Sequence, residues 1–170
     1  MTKQEEAYVH FVGCMENLNR AWMLTQLIRK NAAAEPLITA AYELALIEYA
    51  KSFKPSEGIH SRKYIWQEPS LSKEQLELHR KIIKLRDKVL AHSDISVKEA
   101  QLYVSESGGS PIMTVVSNMP EQLPLPEEVS ALIEQLLREK YAELEALDHA
   151  MVAATAQQGT LTDAAAEPKY

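Results

Sequence analysis

Apolar positions along the chain fall into long helical rhythms interrupted once by a strand rhythm. From residue 4 to 30, Tyr8, Val12, Met15, Leu18 and Trp22 recur at three- and four-residue steps, the spacing of one helix face. A second helix starts near Glu35, with Pro36 suited to a first turn. Its apolar residues, from Leu37 to Phe53, lie nearly all round, which predicts a central helix buried on several sides. Residues 54–71 hold Pro55, Gly58 and Pro69 and read as a loop with a short helical turn near Tyr64 to Trp66. Ser72 and Gln75 have the spacing of a capping box and open a third helix that runs to about Ala91. In residues 99–118, Leu102, Tyr103 and Val104 precede Ser107-Gly108-Gly109-Ser110-Pro111, Ile112, Thr114, Val115 and Val116 follow it, and together they predict a β-hairpin. Pro126, Glu127 and Glu128 open a last helix whose stripe is Val129, Ile133, Leu137, Tyr141, Leu144 and Met151. The expected organisation is a mainly α domain over residues 1–152 with a hairpin insert before the last helix. A flexible tail is expected over 153–170.

Composition narrows the class. In 170 residues there is one cysteine, so neither an intrachain disulfide nor a cysteine-rich zinc site can form. Cys14, among Phe11, Val12, Met15 and Leu18, reads as a small buried hydrophobe. The first residues are polar and acidic, unlike a secretory or transit segment, and the stretch 37–50 is too short and too charged to span a bilayer. A cytoplasmic protein with no membrane partner is the expectation.

The formal charge is −6, which argues against coating nucleic acid by bulk charge. The charge is uneven, however. Residues 51–92 carry ten bases and five acids, net +5, whereas residues 121–170 are net −7. The basic centre is either a solvated helix face or a local surface for an anion such as a phosphate backbone.

The third helix carries an anomaly. Leu78, Ile82, Leu85 and Val89, with Leu76, Ile83 and Leu90, make a broad apolar arc. Arg86 and His79 lie inside that arc, while Glu77, Arg80, Lys84 and Lys88 hold the solvated side. An arginine there is paired, snorkels outward or serves a function, because a buried unpaired guanidinium costs several kcal/mol. Glu43 and Glu48 are the candidate partners for a buried ion pair; the functional reading is an anion clamp. His79 reads as a hydrogen-bonded core or interface histidine. His92 falls at the helix end, where the terminal carbonyls favour the imidazolium. His10, His60 and His149 read as surface or structural. No nucleotide-loop or zincin motif is present, and no cofactor or metal site is expected.

The run Leu85-Arg86-Asp87-Lys88-Val89-Leu90-Ala91-His92-Ser93-Asp94 resembles the signature of the HEPN superfamily, and most closely its abortive-infection branch. The segment from Ala40 to Phe53 resembles that branch's central helix. The likeness spans roughly residues 5–150. It implies a four-to-five-helix bundle that forms a homodimer through the motif helices. It also implies a metal-independent endoribonuclease of defence or toxin–antitoxin type, with RNA as substrate and a cognate antitoxin as partner. Carried over to this chain, Arg86 would hold the phosphate, His92 would move protons and Asp87 would orient the motif. Ser93 and Asp94 would line the rim, and Lys84 and Lys88 would contact the strand. One HEPN group has a tyrosine two residues after the histidine; here that position is Asp94, so a tyrosine-modification control has no footing. The superfamily also includes non-catalytic dimerisation and nucleotide-binding modules, which form the alternative expectation.

Overall fold

A computed structural model describes residues 1–30, 35–87, 99–107, 110–118 and 123–164. Side chains are described over this range except at 35, 60, 99–118 and 154–164. Helix α1 spans Lys3–Lys30 and α2 Glu35–Lys51. A small antiparallel pair follows, β1 (Ser56–Glu57) with β2 (Lys63–Tyr64), joined through a 3-10 turn at Ile59–Ser61. Then come α3 (Lys73–Leu85), β3 (Glu99–Ser107), β4 (Ser110–Asn118) and α4 (Pro126–Ala164). The architecture is mainly helical with a β-hairpin insert before the last helix. No described helix is long and apolar enough to cross a membrane.

The core is shared by α1, α2 and α4. Phe11, Cys14, Met15, Leu18 and Ala21 of α1 meet Tyr42, Ala45, Leu46 and Tyr49 of α2 and Val129, Leu132, Ile133 and Leu136 of α4. Each set follows the helical three-and-four spacing that buries one stripe. Cys14 is buried as expected, and burial pushes its thiol up to about 11, so it is an inert filler at neutral pH. Between α1 and α4 a polar seam fixes an antiparallel register. Tyr8 reaches Asp148 (2.6 Å), Asn19 reaches Tyr141 (2.8 Å), Trp22 reaches Glu134 (3.2 Å) and Gln26 reaches Ser130 (2.9 Å).

Three elements depart from the pattern's expectation. Helix α2 is central only in its second half: Tyr42, Leu46 and Tyr49 are buried, whereas Leu37 is 68% exposed. Tyr64 belongs to a strand, not a helical turn. Its hydroxyl donates to Glu6 (2.9 Å), and Arg62 bonds the same carboxylate (3.1 Å), so both residues are drawn onto α1. Gly58 permits that closure, since a Cβ there would stand 2.7 Å from Glu6 Oε2 and 2.7 Å from a Tyr64 ring carbon. Beyond residue 152, where a tail was expected, the helical backbone of α4 continues to Ala164, past Gly159 and three threonines that favour helix less than the alanines and glutamines between them.

Helix α3 starts as its sequence predicts. Ser72 Oγ accepts from Gln75 N (3.3 Å) and Gln75 Oε1 accepts from Ser72 N (3.3 Å). The cap fixes the helical phase, and His79, Ile82 and Leu85 face inward. Contact with α2 and α4 through that stripe seats α3 beside the core and leaves its other side open.

Candidate functional site

The end of α3 gathers charge. Arg86 follows Leu85 with helical backbone angles, its N–H shared between the carbonyls of Ile82 and Ile83. Because the helix continues at this point, Arg86 stays on the inner side, and its side chain is only 28% exposed. Its Nη1 donates to Asp87 Oδ1 at 3.0 Å, while its Nε is buried without a hydrogen-bond partner among the described residues. Asp87 Oδ2 accepts from Lys54 Nζ, which arrives from the segment just after α2. Burial works to raise the Asp87 carboxyl. The hydrogen bonds and charges of Lys54 and Arg86 outweigh it and hold the group below the ordinary aspartate range.

The buried pair sketched for Arg86 takes a different form. Glu48 is buried but is held by Arg20 (3.3 Å) and Lys51 (2.5 Å), not by Arg86. Among the described residues Arg86 pairs with its own neighbour, Asp87. Of the residues singled out on sequence, Arg86 and Asp87 are brought together. Lys84 lies one turn earlier on the wall of an adjacent cavity of about 340 Å³. Lys88, His92, Ser93 and Asp94 lie outside the described residues.

That cavity is also lined by Glu68, His79, Arg80, Ile83 and Asp87. Arg80 grips Glu68 through two parallel bonds, Nε to Oε1 and Nη2 to Oε2, both 2.9 Å. His79 is 4% exposed, and its Nδ1 is 2.8 Å from the hydroxyl of fully buried Tyr49, as a core histidine should be. Burial lowers the His79 pKa most; Glu68 opposes and Arg80 adds to the lowering, so the ring is neutral at pH 7. Phe53 packs edge-on to the ring at 4.7 Å.

Lys54, Glu68 and Arg80 were not legible as site residues. Lys54 meets Asp87 across 33 positions and Glu68 meets Arg80 across 12, and neither separation matches a periodic pattern within one element. The local excess of bases over 51–92 was the only sequence signal, and it covered all these cations without singling any out. Among the described residues no group of three His, Cys, Asp or Glu is placed to hold a metal ion. Comparison of the chain with family models, with curated proteins and with solved structures finds no match in any of the three.

Proposed function

We propose that this chain is a HEPN-like, metal-independent endoribonuclease that works as a homodimer with a composite cleft at the ends of the two α3 helices. The observation that carries the reading is the half-buried Arg86, paired through Asp87 to Lys54 immediately upstream of the segment that contains His92. Two cations converge on one partly exposed carboxylate, and a phosphodiester is the other anion that fits between them. In the reaction, the RNA 2′-hydroxyl attacks the adjacent phosphorus and loses its proton to His92 of one protomer. The P–O5′ bond breaks, the 5′ oxygen takes a proton from the second protomer's copy of the same histidine, and a 2′,3′-cyclic phosphate remains. Arg86 stabilises the charge that develops on the phosphoryl oxygens.

The biological setting that suits such an activity is defence or a toxin–antitoxin pair, with a protein antitoxin covering the cleft. The test is cleavage of single-stranded RNA in EDTA by wild type, Arg86→Ala and His92→Ala. Cleavage by wild type, lost in both variants, is expected. Equal cleavage by all three overturns the residue assignment. Nucleotide binding without cleavage by wild type moves the assignment to the non-catalytic module.

A further inference from the structure

The cavity beside Arg86 has a feature that the ribonuclease reading does not use. His79 lines it, yet 96% of that residue is removed from solvent and its Nδ1 is tied to Tyr49. The ring edge left for the cavity carries Nε2, which has no partner among the described residues. The direction of the Tyr49–His79 bond fixes what Nε2 carries. Tyr49 is fully buried, and His79 Nδ1 is the only acceptor that its hydroxyl proton has among the described residues. A proton pointed elsewhere would be a buried, unsatisfied donor. The tyrosine therefore donates, Nδ1 accepts, and the neutral ring holds its proton on Nε2. The cavity thus has a fixed N–H donor in its wall.

The surroundings select what accepts from it. Arg80 meets Glu68 along its Nε–Nη2 edge, and among the described residues the Nη1 donors have no partner. Lys84 stands on the same wall. The lining holds two cations, Arg80 and Lys84, and two carboxylates, Glu68 and Asp87, each carboxylate already held by a cation, Glu68 by Arg80 and Asp87 by Lys54. A neutral imidazole donor beside a guanidinium and an ammonium fits a tetrahedral oxyanion. At about 340 Å³ the cavity is larger than one phosphate, so the anion can arrive as part of a larger molecule.

We propose that this cavity is a phosphate-binding subsite in which His79 Nε2–H, Arg80 and Lys84 hold one phosphate group. His79 stands two helical turns from Arg86, but Lys84 is two residues from it and Asp87 lines the same cavity, so the bound phosphate adjoins the one proposed at Asp87. As a subsite for an RNA strand it rests on the ribonuclease reading; as a site for a phosphate ion it does not.

The experiment is histidine side-chain NMR on the full-length protein labelled with ¹⁵N at histidine, titrated at constant ionic strength with inorganic phosphate. A parallel arm uses a short single-stranded RNA carrying a 2′-deoxy block against cleavage. In the free protein His79 should show a protonated Nε2 and an unprotonated Nδ1. Both probes should shift the Nε2–H signal saturably, and Arg80→Gln should weaken each by about tenfold. Tyr49→Phe, which keeps the ring's packing, should let protonated Nδ1 appear and weaken phosphate binding. A protonated Nδ1 in wild type overturns the proposal, as does a silent His79 at saturating phosphate. A response to inorganic phosphate but not to RNA overturns the strand subsite and assigns the cavity to free phosphate compounds. Phosphate bound at His79 in a protein that cuts no RNA sinks the ribonuclease reading alone. RNA cleavage with a silent His79 sinks the subsite alone.

Discussion

Three carboxylates, Glu6, Glu48 and Asp87, are each gripped by two donors, the first two in one sense and the third in the opposite sense. Glu6, held by Arg62 and Tyr64, has a side chain 2% exposed, whereas its arginine is 39% exposed. Glu48 follows the same plan, buried beneath the more open Arg20 and Lys51. At Asp87 the order is inverted: the carboxylate is 38% exposed and its cations, Lys54 and Arg86, are 27% and 28% exposed. A buried carboxylate cannot leave without stranding its charge, so Glu6 and Glu48 act as latches that fix α1 to its neighbours. An open carboxylate over half-buried cations is replaceable, because another anion can take its place without uncovering the core. The difference separates a joint from a site.

The comparison can be broken most forcefully at the first latch. Arg62→Met should leave Glu6 with Tyr64 alone and cost about 3 kcal/mol, read by urea unfolding. A change within the error of the wild-type midpoint would mean that Glu6 is no latch. Acid provides the next test. The unfolded chain protonates His79 near the ordinary value of 6.5, whereas the folded chain resists until lower pH. Its contribution to stability is therefore present above about pH 6.5 and lost as pH falls through the folded value. The melting temperature should drop between pH 7 and 5 with a steeper slope in wild type than in His79→Gln, and equal slopes would remove His79 from the account. Ser72→Ala should cost about 1 kcal/mol by loss of the capping box, with α3 fraying first in hydrogen exchange. The smallest effect is expected at the site itself. Asp87→Asn should change stability by no more than about 0.5 kcal/mol while altering the affinity for RNA measured in the same preparation. A loss as large as that of Arg62→Met would make Asp87 a third latch.

How much of this was legible follows the range of the interactions. The helices, the Ser72 capping box, the Pro126 start and the hairpin rest on neighbours within a few residues, and their signals are local. The inward placement of Arg86 was likewise visible, because helical phase is local. Lys54 was not, since nothing near Pro55 indicates that the chain will return to Asp87. Nor was the strand at Lys63–Tyr64, which exists because Tyr64 finds Glu6 across 58 positions. His79 read as a core residue, and it is one; that it also lines a cavity depends on the packing of α3 against Tyr49, which lies 30 positions away.

The polar seam between α1 and α4 has a consequence for the order in which the molecule is made. Gln26 waits 104 residues for Ser130, and Tyr8 waits 140 for Asp148. A ribosome therefore delivers α1 and α2 long before α4, and at that stage α1 can cover only the side that faces α2. Met15, Leu18 and Trp22 stand ready for a helix that has not yet been synthesised. During that interval the nascent chain presents an apolar stripe to whatever is near the exit tunnel, and the last helix ends the exposure by closing over it.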